Sequence, residues 1–247
     1  MFNNDFVNVY NLIHKKKNYY QESLRIINFL KSFRQINHSS LLDFGCGQAD
    51  HLYFLNKCFK SVEGYDPNKN MIKVANTKYK DIKCNFDINF YLNKKKKYDF
   101  IISMFDVFSY FTTNNILKKN VLYINKLLKK NGLYLFEFWF EDSVLINKPN
   151  SYVKHLNVDN KILKKSCTSK INLKNKTVSI KYIINYENKS FYDNHLVRYF
   201  SKEDIKFFLR VFKFEIIKFG YMSDLRKSLK PSDKYSAFCL AKKINNV

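Results

Sequence analysis

The sequence predicts an α/β fold: one mostly parallel sheet flanked by helices, interrupted late in the chain by an antiparallel insert. Three observations predict it. Short apolar runs alternate with helix-period segments as far as Phe140, an order that calls for parallel strands joined by right-handed crossovers. Two-residue alternation then takes over across 152–200, clearest at Val178, Ile180, Tyr182, Ile184 and Tyr186, as in antiparallel strands. No linker rich in Pro, Gly or Ser and no internal repeat divides the 247 residues. One sheet domain carrying an insert is the economical reading.

The elements follow in order. Residues 19–33 place Leu24, Ile27, Phe29 and Leu30 at helical spacing. The run 41–44 enters a glycine loop and reads as a buried parallel strand. Helix period returns over 49–59. "SVEGYDP" is a second strand closed by Asp66-Pro67, with Pro67 placed to begin the helix 68–79. A short strand at 82–84 precedes Asp87 and a lysine loop, and 98–105 is the most apolar strand of the first half. Residues 112–130 form a long amphipathic helix, stopped at Asn131-Gly132 as an expected C-terminal cap; the strand 133–140 comes next. After the insert, Ser201 offers an N-cap hydroxyl with Asp204 three residues on. Strands at 212–220 and 234–243 close the chain.

With 46% hydrophobic and 17% aromatic residues, the chain can bury a sizeable core. No stretch approaches the roughly 20 apolar residues of a membrane span, and the polar, mixed start carries no visible signal peptide. The five cysteines are scattered with no Cys-x-x-Cys pair. That argues against a disulfide framework or a zinc site and fits a reducing cytoplasm. A formal charge of +23 invites nucleic acid. The excess is mostly lysine alongside abundant Asn, Ile, Phe and Tyr, the joint bias of an AT-rich genome. The runs Lys15 to Lys17 and Lys94 to Lys97 fall in loops, as solvated charge. The positive field suits an anionic small substrate better than a nucleic acid.

Glycine gives up the most backbone freedom on folding, yet two of only five glycines bracket Cys46. At Gly45 and Gly47 the backbone can approach a ligand with no Cβ in the way, and the following helix offers free amides. Nineteen residues past Gly47 stands Asp66, where a carboxylate can accept both hydroxyls of a ribose. Asp87, after the third strand, can accept from an adenine amino group. All these positions lie at the carboxyl edge of the sheet, where such folds bind ligands. A dinucleotide fingerprint would need a third glycine at Asp50, and there is none.

"LLDFGCGQADHL" followed by "VEGYDPNKNMIKVA" resembles the class I S-adenosylmethionine-dependent methyltransferases. "VYNLIHKKKNYY", "ISMFDVFSYF", "GLYLFEFWF" and "NHLVRYFSKEDIKFFLRVFKFEI" are similar to the sugar N,N-dimethyltransferases that act on dTDP-linked amino sugars. The resemblance runs over nearly the whole chain. It implies a Rossmann-like, seven-stranded, mostly parallel sheet with an antiparallel β insert capping the active site. It also implies a core with N-terminal lid helices at 1–150, the cap at 151–200, and a C-terminal helix with the last core strands at 201–247. S-adenosylmethionine is the implied cofactor, with no metal, in a cytoplasmic monomer or homodimer.

Carried over by residue, the resemblance assigns Gly45, Cys46 and Gly47 to the cofactor's methionine part, with Gly45's carbonyl toward its amino group. Asp66, with Pro67 beside it, matches the ribose acid; Asp87 and Ile88 match adenine contacts. Tyr20 aligns near the cofactor carboxylate and Met104 beside the sulfonium. Tyr10, Tyr110 and His195 are the catalytic candidates, and Glu137 and Trp139 line the implied sugar pocket. Lys234 stands where the family has an arginine for a nucleotide phosphate, and Lys is not a bidentate substitute. Asp66 is shorter than the family's frequent Glu, and 220–231 is longer.

The implied reaction is methylation of the amine of a nucleotide-linked amino sugar. Losing one proton to solvent or a weak base suffices for an amine, whereas a hydroxyl needs a general base in hydrogen-bond reach. O-methylation of a sugar or phosphorylated precursor of a surface polysaccharide is the alternative. A nucleic-acid amino-methyltransferase would carry Asp or Asn, Pro-Pro and an aromatic where this chain reads Ser103-Met104-Phe105-Asp106. A catalytically silent copy would have no need of Asp66 and Asp87. With 18 tyrosines in the chain, Tyr10 and Tyr110 fit structural roles as readily as functional ones. His195 can equally be a core histidine, and His14, His38, His51 and His155 receive no role.

Overall fold

A computed structural model describes residues 4–14, 17–158, 161–222, 229–232, 234–245 and 247. Five parallel strands, β1 (Ser40–Phe44), β2 (Ser61–Tyr65), β3 (Lys83–Asn85), β4 (Tyr98–Ser103) and β5 (Leu128–Phe140), lie in the order β3-β2-β1-β4-β5. The insert is four antiparallel strands: β6 (Tyr152–Val158), β7 (Lys161–Asn172), β8 (Thr177–Tyr186) and β9 (Lys189–Phe200). β10 (Phe214–Gly220) and β11 (Ser236–Lys243) finish the core, with β11 antiparallel between β5 and β10. This is the expected Rossmann-like sheet of seven core strands with antiparallel strands attached at β5.

Alternation along the strands builds a core on each face. Leu42, Phe44, Ile101, Tyr134 and Phe136 point to one side; Leu41, Phe100, Ile102, Leu133 and Leu135 point to the other. Every residue of β1 and β4 is therefore buried, as expected for parallel strands covered on both faces. α1 (Asn4–Ile13) belongs to neither face and packs with the cap in its own cluster, through Val7, Val9 and Tyr10. The second face is covered by α2 (Tyr19–Lys31), α3 (Asp50–Leu55) and α4 (Lys69–Lys78). α5 (Ile88–Asn93) contributes Tyr91 to the first face, which α6 (Asn114–Leu127) covers with Leu117, Val121 and Ile124. α7 (Glu141–Ile146) leads into the cap, and α8 (Lys202–Val211) returns from it. Ser201 and Asp204 form the reciprocal capping box at the start of α8.

Several boundaries differ from expectation, two of them for a clear physical reason. Pro67 does not open α4; Asn68 does, its side chain accepting from the amides of Asn70 and Met71. A side-chain acceptor at the N-cap satisfies amides that proline at the first position would leave orphaned. α6 ends at Leu127 rather than at Asn131-Gly132, because Leu128 pairs with Tyr98 and starts β5. Part of the lysine excess is structural too. Lys129 Nζ lies 2.8 Å from Asp99, and Lys96 Nζ lies 2.5 Å from the buried carboxylate of Glu63. The lysine run at 94–97 is thus not simply solvated; Lys15, Lys16 and 223–228, within the long segment, lie outside the described residues. No helix among the described residues is long and apolar enough to cross a membrane.

The sheet's junction positions the site. β4 pairs with β5 as far as Phe136; beyond it Trp139 and Phe140 pair with Tyr199 and Phe200 of β9. The cap is thereby fixed above the carboxyl end of β4. Below it, Gly64 in β2 has no room for a side chain: an added Cβ would sit 2.7 Å from Cys46 Sγ and 2.8 Å from Cys84 Sγ. We predict that Gly64→Ala costs about 1–3 kcal/mol by overpacking, lowering the melting temperature by roughly 2–10 °C for a chain this size. A melting curve superimposable on the wild type would refute that packing.

Candidate active site

A cavity of about 800 Å³ opens at the carboxyl ends of β1, β2 and β4, bounded by α1, the start of α2 and the cap. Its floor is the loop after β1. Gly45 (φ +102°) and Gly47 (φ +54°) both take backbone conformations that favour glycine. An added Cβ on Gly45 would lie 2.5 Å from Val107, whereas one on Gly47 would meet nothing within 4 Å. Gly45 and Cys46 donate their amides to the Tyr65 carbonyl, and Gly47 donates to Asp66 Oδ2 at 2.9 Å. Asp66 Oδ1 accepts from Asn68 at 2.8 Å. The acid after β2 and the glycine loop after β1 thus form one unit.

Three buried polar atoms in the lining, on Asp43 and Gln48, have no hydrogen-bond partner among the described residues. Asp43 and Gln48 are each 2% exposed; Asp43 Oδ1 and both polar atoms of the Gln48 amide make no hydrogen bond. Buried polar atoms normally find partners, so this floor is built for a ligand that brings a cation and further hydrogen-bonding groups. The methionine ammonium and carboxylate of S-adenosylmethionine match that donor and acceptor set. The open side of Gly47 gives its backbone close approach. The residues present fit the cofactor.

Burial, then the nearby charge of Asp66, pushes Asp43 up to about 8. The folded state thus holds a proton that the unfolded chain, with Asp near 4, has released. Asp43 costs no stability below that range and destabilises increasingly as pH rises to about 8. We expect the ligand-free protein's melting temperature to fall between about pH 6.5 and 8, with Asp43→Asn flattening the fall. This window lies above the one in which His14, pushed down from 6.5 to about 4 by burial, acts in the opposite sense. An unchanged slope in the variant would contradict the assignment.

α1 and the lead into α2 form a second wall. The Tyr10 and His14 rings are 4.4 Å apart, and His14 meets Phe105 edge-on at 5.4 Å. Lys17 Nζ sits 3.5 Å over the Phe105 ring. The Tyr10 and Tyr19 hydroxyls share a hydrogen bond, and burial raises both, Tyr10 to about 12. After β4, Phe105 (φ 58°) and Asp106 (φ 61°) are consecutive left-handed non-glycine residues, a strain that persists only where surroundings impose it. Phe105 N donates to Glu137 Oε2 at 2.6 Å; Asp106 accepts from Trp139 Nε1 and Ser236 Oγ. Burial raises both carboxyls, and Asp106's charge raises Glu137 further. The cap closes the cavity with Lys165, Ile180, Tyr182 and His195, and Tyr110 Oη lies 2.8 Å from His195 Nδ1.

Among the expected site residues, the cavity brings together Gly45, Cys46, Gly47, Asp66, Pro67, Ile88 and Met104. Tyr10, Tyr110, Trp139 and His195 line it as well. Four fall elsewhere. Tyr20 is 51% exposed, with its ring on Phe54. One residue turns a helix by about 100°, so Tyr19 faces the cavity instead. Asp87 is exposed and caps α5, accepting from Asn89 N at 2.9 Å. Glu137 and Lys234 border a smaller cavity of about 400 Å³ that shares Asp106 and Trp139. Sequence reasoning missed Asp43, Gln48, Lys17, Tyr19 and Asp106, and gave His14 no role. Asp43 carried a legible signal, an acid inside a buried strand; the others did not.

The methyltransferase-domain family profile matches residues 15–218, while no curated protein matches the chain. Among the solved structures that share the fold are three methyltransferases. An S-adenosylmethionine-dependent methyltransferase from Clostridium acetobutylicum ATCC 824 is 21% identical (TM-score 0.78), covering 97% of this chain and 98% of that one. CalS10, an amino pentose methyltransferase from Micromonospora echinaspora, was solved with S-adenosylmethionine bound. It is 16% identical (TM-score 0.73), with 95% and 96% covered. The sugar N-methyltransferase KedS8 from Streptoalloteichus sp ATCC 53650 is 16% identical (TM-score 0.76), with 96% and 93% covered. The profile spans most of the chain and its floor fits the cofactor, so the chain belongs to the methyltransferase-domain family and is an S-adenosylmethionine-dependent methyltransferase.

Proposed function

We propose that the enzyme methylates a small, anionic, polar acceptor, foremost the amine of a nucleotide-linked amino sugar. The observation that carries this reading is one cavity with two kinds of lining. The core sheet and its loops supply Asp43, Gly45, Gly47, Gln48, Asp66 and Tyr110; the lid, α6 and the cap supply Lys17, Lys119, Lys165 and His195. Three cations around a cavity raise the local concentration of an anionic acceptor. CalS10 and KedS8, which share the fold, are named as an amino pentose and a sugar N-methyltransferase. Five free cysteines fit a reducing, cytoplasmic setting.

When bound, S-adenosylmethionine supplies a methyl group on a sulfonium, open to in-line attack by an uncharged nucleophile. The protein's tasks are alignment, exclusion of water and removal of one proton. In this reading, Gly45, Gly47 and Asp66 orient the cofactor, with Asp43 facing its ammonium. Met104 flanks the reacting region, Tyr10 and Tyr110 hold the acceptor by oxygen contacts, and Trp139 offers a stacking face.

A second reading, O-methylation of a sugar or phosphorylated glycan precursor, is favoured by the Tyr110–His195 contact, which can take a proton from a hydroxyl. Mass-shift assays on a panel of amino- and hydroxy-sugar nucleotides separate the two. His195→Asn is expected to slow O-methylation by about 10²-fold or more and amine methylation only modestly. No methyl transfer to any panel member would refute the sugar-nucleotide reading.

A further inference from the structure

Asp193 lies on the same face of β9 as His195, because alternate residues of a strand share a face. It is 2% exposed. Its Oδ1 accepts from Asn194 N at 3.0 Å. Oδ2 lies 2.9 Å from His195 Nε2 as an ion pair but accepts no hydrogen bond among the described residues, so that oxygen has an ionic neighbour but no full partner. On the other side of the ring, Nδ1 faces Tyr110 Oη at 2.8 Å, and Tyr110 lines the cavity. A buried carboxylate without a full partner is costly. It gains one when the imidazole becomes charged.

We infer that Asp193 is a positioning residue: it keeps the proton of neutral His195 on Nε2, leaving Nδ1 to accept from Tyr110 and the Tyr110 lone pairs to face the acceptor. Asp193, His195 and Tyr110 then form a relay from the cavity into the cap. As the acceptor's nitrogen or oxygen bonds to the methyl carbon, the carbon–sulfur bond breaks and its electron pair stays on sulfur as a neutral thioether. The acceptor's proton passes to Tyr110 Oη and the Tyr110 proton to His195 Nδ1. The proton rests on an imidazolium, Tyr110 stays a neutral phenol throughout, and Asp193 carries the matching negative charge. Burial already raises Tyr110, which a relay that never forms the phenolate accommodates. The inference rests on the methyl-transfer reading and adds a residue that neither the sequence nor the family match singled out.

The test reads the ring directly. Long-range ¹⁵N NMR of the ligand-free, histidine-labelled protein should show neutral His195 with its proton on Nε2. Asp193→Asn should move that proton to Nδ1, since an amide can donate to Nε2, while Tyr110→Phe should leave it on Nε2. Calorimetric titration with S-adenosylmethionine should give wild-type affinity in both variants. Transfer of labelled methyl should fall about 10²–10⁴-fold in Asp193→Asn for the hydroxyl members of the sugar-nucleotide panel, the span of general acid–base contributions, and only modestly for the amine members, as for His195→Asn. Wild-type His195 with its proton on Nδ1, or a proton that moves in Tyr110→Phe, would overturn the inference even if Asp193→Asn fails to fold. Loss of S-adenosylmethionine binding by the wild type would instead overturn the methyl-transfer reading.

Discussion

Gly45→Ala is expected to be the most damaging single methyl that can be added to this chain. Its φ of +102° is a conformation L residues rarely adopt, and the new Cβ would lie 2.5 Å from Cγ2 of Val107. Backbone strain and overpacking each cost about 1–3 kcal/mol. The sum, roughly 2–6 kcal/mol, is a large share of a typical domain's 5–15 kcal/mol. Thermal unfolding should show a drop of about 5–20 °C, and calorimetry should show no S-adenosylmethionine binding in the folded fraction. Gly47→Ala separates folding from binding. With nothing within 4 Å of its Cβ, it costs only the left-handed backbone term, about 1–2 kcal/mol. Its methyl stands in the space through which the loop approaches the ligand, so affinity should still fall at least about tenfold, or 1.4 kcal/mol. Cofactor binding by Gly47→Ala at wild-type strength would show that this loop does not hold the cofactor.

Asp66→Ala should weaken S-adenosylmethionine by about 1–3 kcal/mol, the scale for losing a charged hydrogen-bond partner, or roughly 5–150-fold in Kd. The structure makes the loss twofold. The carboxylate that would accept the ribose hydroxyls also accepts from Gly47 N and Asn68 N, so alanine leaves two amides unpartnered and slackens the loop. Burial raises Asp66 while those two amides pull it back toward the charged form, which keeps it an acceptor. Asp66→Asn, which retains one acceptor oxygen, should fall between alanine and wild type. Asp87→Ala should weaken binding less than Asp66→Ala, because the Asp87 carboxylate is committed to Asn89 N outside the cavity. Unchanged affinity in Asp66→Ala would remove that residue from the site.

The glycine loop, the acid nineteen residues on and the switch from helix-strand alternation to two-residue alternation were all legible in the amino-acid order. They are local patterns, and local patterns are imposed by backbone conformation and by which face of an element meets the core. They were enough for the sheet class, the antiparallel cap and the glycine loop of the site's floor, but not for Asp43 and Gln48 within it. What the order of residues left open depends on angle or on distance in space. A turn of about 100° decides that Tyr19 rather than Tyr20 faces the cavity. Competition for a backbone amide decides that Asp87 caps a helix. The pairing of β9 with the end of β5 brings Tyr110 against His195, residues 85 apart in the chain. The unpartnered oxygen of Asp43 and the amide of Gln48 became visible only when every neighbour had been placed. Periodicity is a property of one segment, whereas burial without a partner is a property of all the segments around it. The first belongs to the sequence and the second only to the folded chain.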